Sequence, residues 1–139
     1  KKESVPVGWS FSLPSEAQWE YACRAGTTTK YFWGDDIAPK LANDDDTLKR
    51  TMVVGSYKSN PWGFFDMHGN VSEWCADWSD DYPSGSVTDP FGPKTGLGRV
   101  SRGGSWSASE TRLRSVDRNS HRPGHRLKYH GFRVILQMQ

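Results

Sequence analysis

Apolar and polar residues alternate in WSFSL at 9–13, which predicts a short strand closed by Pro14. The next four residues, SEAQ, form a capping box, with Ser15 as the N-cap and Gln18 three positions on. They predict a helix over 16–24, with Gly26 placed to end it. Regular signals then thin out. Residues 27–50 are Thr-rich, then aromatic, then acidic. MVVGSY (52–57) reads as a short strand and NPWG (60–63) as a turn. MHGNVSEW (67–74) reads as the start of a short helix at Asn70, with Glu73 at its third position.

Residues 79–98 are rich in Asp, Pro, Ser and Gly and predict a long surface loop. RVSRGGSW (99–106) predicts a strand running into a tight Gly-Gly turn. RLRSVDR (112–118) alternates with period two, which turns Leu113, Ser115 and Asp117 one way and Arg112, Arg114, Val116 and Arg118 the other. HRPGHR (121–126) predicts a turn and GFRVIL (131–136) a closing strand. The chain contains no internal repeat.

Composition narrows the class. The 139 residues suffice for one domain with a core. Mean hydropathy is low, at −0.76. Seven Trp argue against disorder and for an aromatic core inside a loop-rich domain. A net charge of +2 is too small to point to nucleic acid. The Arg-rich tail, 112–133, is nearly cancelled by acids elsewhere. No apolar run approaches the length of a membrane span, and KKESVPVGWS lacks the apolar centre of a signal peptide.

Cys23 and Cys75 allow at most one disulfide and lack metal-motif spacing, so they read as two buried thiols. Free thiols suit a reducing compartment, which favours the cytoplasm without fixing it. His68, His121, His125 and His130 lie on turn-like segments without ligand spacing and read as surface histidines. Asp77, Asp80 and Asp81 read as solvated loop acids. Ser105 and Ser107 have no histidine at a predictable distance, so a serine nucleophile is disfavoured.

Five strings occur in order: SLPSEAQWEYACRAGT, NPWGFFDMHGNVSEWCADW, SRGGSW, RSVDR and HGFRV. Together they closely resemble the formylglycine-generating enzyme, or sulfatase-modifying factor, family. The resemblance implies an α+β, C-type-lectin-like fold that is poor in regular secondary structure. Residues 1–139 would form the C-terminal part of one such domain. The expected partner is then the N-terminal half, in the same protein or in a partner chain.

The resemblance also implies structural calcium. One site would use Asp66 and Glu73 side chains with the carbonyls of Gly69 and Val71. A second would use Asn43, a carbonyl at Asp44, Asp46 and a carbonyl near Leu48. Calcium takes such oxygen donors in irregular loops. Catalytic members bind copper(I) through two cysteines shortly after the GGS turn, soft ligands for a soft ion. Here that segment reads GGSWSASETRLRS, and no Cys follows Cys75. No copper is expected, and formylglycine-generating activity is disfavoured.

What remains looks like a binding face. Trp106, Ser107, Ser109, Thr111, Asp117, Asn119, His121, His125, Tyr129 and His130 mix rigid aromatics with small hydrogen-bonding groups, a composition suited to recognition. The segment from the RGGSW turn to GFRV also resembles the variable proteins of diversity-generating retroelements. In those, variation falls at template Asn codons. The residues between framework positions here are reachable from such a codon, apart from Glu110 and Lys128. Arg114, Arg118 and Arg133 read as braces of the fold. The expectation is a calcium-stabilised ligand-binding module, with an unknown protein or small molecule as its ligand. The alternative is an oxidase or sulfoxide synthase-type member whose metal ligands lie outside this chain.

Overall fold

A computed structural model describes residues 5–36, 41–44 and 48–138. The architecture is α+β with little regular secondary structure: one α-helix and two small sheets joined by long irregular segments. β1 (Trp9–Ser12) pairs antiparallel with β6 (Ile135–Met138). The second sheet has the order β4-β3-β2-β5, from β2 (Ser72–Trp78), β3 (Arg99–Arg102), β4 (Arg118–His121) and β5 (His130–Gly131). Its contacts are antiparallel except between β2 and β5, which run parallel.

The helix α1 (Glu16–Arg24) forms where the capping box predicts. Ser15 Oγ accepts from the Gln18 amide at 3.2 Å, and Gln18 Oε1 accepts from the Ser15 amide at 2.8 Å. Asp77 Oδ2 accepts from the Glu16 amide at 2.7 Å, so a second carboxylate meets the orphan donors of the first turn. Ala25, not Gly26, takes the left-handed cap at φ 46, and Gly26 follows at φ 88. Glu16, Trp19 and Cys23 share the buried face. Trp19, Cys23, Met67, Cys75 and Val100 make one core cluster; Tyr31, Ala42 and Leu113 make another.

Arg102 crosses that interior with a relative exposure of 1%. It pairs with Glu20, lies 3.6 Å from Glu16 and donates to the carbonyls of Ser115, Val116 and Asp117 at 2.6–2.9 Å. Arg118 stands opposite Arg102 in the sheet and reaches Glu16 Oε2 at 2.6 Å. Two carboxylates of the helix thus tie it to two arginines of the sheet. Arg133 and Arg114 also act as braces: Arg133 grips Glu73 with two nitrogens, and Arg114 donates to Thr111 O.

Four expected elements differ. MVVGSY makes a turn at 54–55 instead of a strand. The helix expected from Asn70 is strand β2. Gly69 and Asn70 sit at φ 85 and 63, and the chain then pairs with a strand on each side. Edge pairing outweighs a weak capping signal. GFRVIL splits after Gly131, so β5 and β6 join different sheets. RLRSVDR begins as a 3₁₀ turn (Glu110–Leu113), yet its alternation survives as burial: Leu113 and Ser115 are inside and Val116 is outside. The surface loop at 79–98 and the turn at NPWG form as expected, the latter closed by Gly63 N–H to Asn60 O at 2.9 Å.

Candidate functional site

The Gly-Gly turn after β3 shapes the site. Gly103 and Gly104 have φ of 89 and 66, where side chains are strained. A Cβ on Gly104 would lie 2.7 Å from both the Arg112 carbonyl oxygen and the Leu113 side chain. The glycine therefore lets the SWSA segment fold against the 3₁₀ turn. Between that segment and the sheet lies a cavity of about 360 Å³. Ser72, Ser101, Asn119, His121 and His130 line it from the four strands, and Gly104, Ser105, Ser107, Ala108, Arg112, Asp117 and Tyr129 complete it.

Six of the ten expected binding residues meet here: Ser107, Asp117, Asn119, His121, Tyr129 and His130. Trp106 stands next to the wall and is mostly buried; its amide donates to Asn70 O at 2.9 Å, and the Lys128 ammonium lies 5.0 Å over its ring. Ser109 and Thr111 turn away and contact each other at 3.2 Å. Thr111 lines a different cavity with Tyr31 and Arg114. His125 is exposed on the connecting turn, its ring 6.0 Å from that of His121. Ser72 and Ser101 carry no signal in the sequence. A small hydroxyl residue in a strand carries no sign of which face it lines.

The polar groups of this cavity are incompletely used. Ser101 Oγ and both ring nitrogens of His130 are buried and have no hydrogen-bond partner among the described residues. The Trp106 indole N–H beside the wall is in the same condition. Buried polar atoms normally find partners, and here several without one converge on a single cavity. His121 and His130 are half-buried rather than the surface groups the sequence suggested, whereas His125 is exposed as expected. The His121 and His130 rings lie 4.4 Å apart, with Trp74 edge-on to both. Burial, then the neighbouring imidazoles His121 and His125, pushes the His130 pKa down to about 4, and burial followed by His125 lowers that of His121. Both rings are therefore neutral at pH 7. Asp117 is balanced by Arg114 at 3.6 Å and Arg112 at 3.7 Å.

His68 is likewise inside, at 2% exposure. Its Nδ1 donates to Leu113 O at 2.6 Å, which leaves Nε2 to accept from the Phe32 amide at 3.3 Å and to face Cys23 Sγ at 3.6 Å. Burial pushes the Cys23 thiol up to about 12 and the Cys75 thiol up as well. Both cysteines are free and buried, as expected, and neither supplies a thiolate at neutral pH. Ala108 stands in the cavity wall, in the stretch after the GGS turn where the resemblance implies cysteines in the catalytic members.

A larger open groove of about 870 Å³ runs between α1 and the 79–98 loop. Several of its charged groups are already matched, though Asp80 and Asp81 form no ion pair among the described residues. Asp77 is buried and accepts from Glu16 N and Gly92 N, which corrects its reading as a solvated acid, and Arg118 meets Glu16 and Asp80 O. The smaller cavity, with its unused polar atoms, is the stronger candidate.

The calcium expectation falls on an irregular stretch. Asp66, Gly69 and Asn70 all have positive φ, and a Cβ on Gly69 would meet Asn43 O at 2.3 Å. Asp66 Oδ2 accepts from Gly55 N at 2.7 Å. Glu73 Oε2 accepts from Trp19 Nε1 at 2.6 Å and Arg133 Nε at 2.5 Å, and its Oε1 accepts from Arg133 Nη2 at 2.7 Å. Calcium at Glu73 would share that carboxylate with a guanidinium. Val71 is half-buried just before β2. Asn43 and Asp44 are buried, Leu48 is exposed, and Asp46 lies outside the described residues. No group of three or more His, Cys, Asp or Glu side chains is positioned for a metal among the described residues. A calcium here would depend largely on backbone carbonyls.

No helix among the described residues is long and apolar enough to cross a membrane. The sequence matches the Sulfatase-modifying factor enzyme 1-like domain over residues 2–138. It is 36% identical to a formylglycine-generating enzyme of Streptomyces coelicolor over 141 aligned positions, which cover 87% of this chain and 45% of the relative. The fold superposes on Treponema denticola variable protein 1 with a TM-score of 0.83 and 35% identity, covering 93% of this chain and 48% of that one. It superposes on PvdO from Pseudomonas aeruginosa with a TM-score of 0.82 and 31% identity, covering 96% and 54%. The chain thus spans about half the length of these relatives. From the capped helix to the Gly-Gly turn and the strand that follows His130, this chain belongs to the sulfatase-modifying factor enzyme 1-like domain family.

Proposed function

We propose that this chain is a non-catalytic ligand-binding module, and that its ligand enters the cavity between the SWSA segment and the sheet. The observation that carries this reading is the convergence of unpartnered Ser101 and His130 on a wall where Ala108 stands and no thiol does. The likeness to a variable protein supports the finer reading, a C-type-lectin-like scaffold whose cavity positions are diversified by a retroelement. Finding a near-identical neighbouring DNA copy that differs only at adenines would support it; diversified cavity codons with no such copy would refute it. Structural calcium at the 66–73 loop belongs to the same proposal, supported by its run of left-handed residues and its oxygen-rich backbone.

The partner that completes the fold is a polypeptide supplying the other half of the family domain, in the same chain or another. Trp9, Phe11, Leu136 and Met138 share one face of the β1–β6 ribbon and are all exposed, while Ser10, Ser12 and Gln137 on the other face are half-buried. A ribbon with its apolar side outward calls for a cover, and relatives twice as long have the chain to provide one.

A second reading is an oxidase-type member whose metal ligands lie outside this chain. The identity to a formylglycine-generating enzyme favours it. Aerobic turnover of a cysteine peptide with added copper or iron would support it.

A further inference from the structure

We infer that the ligand carries an anionic oxygen group, a carboxylate or a phosphate, seated at the rim of this cavity beside a hydrogen-bonding group that reaches Ser101 and His130. The inference rests on the binding reading and adds the ligand's chemical class. No carboxylate follows Asp117 anywhere in the chain. The cations that follow it divide into two groups. Arg118 and Arg133 are held by Glu16 and Glu73. Arg122, Arg126 and Lys128 are exposed, and none forms an ion pair among the described residues.

These three sit on the stretch that joins His121 to His130, two residues of the cavity wall. Lys128 marks the rim, because its ammonium stands over Trp106, between the lining residues Ser105 and Ser107. Arg112 also lines the cavity, but it faces Asp117 at 3.7 Å and is set against that carboxylate. The wall has one carboxylate, Asp117, which two arginines already neutralise. A cavity with neutral hydrogen-bonding groups inside, two of whose wall residues are joined by a stretch carrying three exposed, unmatched cations, favours an anion that also hydrogen-bonds. Depth sorts the roles: Ser101 and neutral His130 read shape and hydrogen bonds, and the arginines and lysine read charge.

The test uses three tetrapeptides: acetyl-Asp-Ser-Asp-Tyr-amide, its Asn counterpart, and that counterpart with phosphoserine. Binding is followed by chemical-shift changes at the His121 and His130 imidazoles. The expected result is that the Asp or the phosphoserine peptide binds about tenfold tighter or more than the neutral one. That gap should shrink as salt rises. It should vanish in Arg122→Gln/Arg126→Gln/Lys128→Gln, whose exposed positions leave the fold intact. Which charged peptide wins tells carboxylate from phosphate. Equal binding of all three overturns the inference and leaves the cavity as a binding site. A charge preference that survives the triple substitution also overturns it. Absence of binding by every peptide overturns it too, while the binding reading still stands or falls on ligands selected without regard to charge.

Discussion

Ser101 and His130 line the same cavity from different strands, and neither side chain has a hydrogen-bond partner among the described residues. The two strands, β3 and β5, both flank β2. Sequence places these residues 29 positions apart, and the sheet brings them to one wall. A buried hydroxyl and a neutral imidazole left unused cost stability in the free protein. The proposed ligand would recover that cost by supplying the missing partners.

The first prediction follows directly. Ser101→Ala removes an unpartnered hydroxyl, so the free protein should unfold at the same denaturant midpoint or a slightly higher one. Its affinity for a cavity ligand should fall by roughly 1 kcal/mol, about fivefold. Urea unfolding and a binding isotherm on one preparation check both signs.

The arginine hub is structural. Arg102 is buried among Glu16, Glu20 and three carbonyls. Removing one partner of such a set strands the rest without compensation, at a cost of about 3–5 kcal/mol. Arg102→Ala should therefore unfold far earlier in urea than Arg114→Ala, whose partners lie nearer solvent.

Acid should loosen the fold through His68. Burial holds its pKa at about 4, below its ordinary value of 6.5. The unfolded chain thus binds the proton first. Stability is complete above about pH 6.5 and drains away as pH falls toward 4, by about 1.4 kcal/mol per unit for each such group. His130 acts in the same direction. Thermal melts from pH 7.5 to 4.5 should show this fall, with a shallower slope in His68→Gln.

Chelation tests the calcium proposal. EGTA should lower the melting temperature, and Asp66→Asn should reduce that shift. A melting temperature indifferent to EGTA and added calcium would leave the 66–73 loop held by Arg133, Trp19 and its own backbone.

The ribbon makes a prediction of its own. In the 139-residue chain Trp9 is 39% exposed and should be readily quenched by acrylamide. In a protein that includes the other half of the domain, quenching should drop and the emission should shift to the blue.

The legible parts of the sequence were those specified locally. SEAQ encodes its own hydrogen bonds, so α1 was predicted to the residue. The Gly-Gly turn needs positive φ, and only glycine supplies it cheaply. Strand β2 was not legible because its buried face carries Glu73, Cys75 and Asp77, two of them charged. Their partners, Arg133 and the start of α1, are distant in sequence. His68 was misread for the same reason: its hydrogen bonds go to Leu113 and Phe32. The site was half legible. Hydroxyl and aromatic residues after the turn pointed to part of this cavity's wall, while Ser72 and Ser101 join it only through strand pairing.

The most direct test of the binding claim fills the cavity. Ligands selected on the folded chain from a random peptide library are titrated against wild type and Ser107→Trp, whose indole would occupy the space. The account predicts a loss of about tenfold or more in the variant, with its melting temperature retained. Equal affinity for both proteins would contradict it.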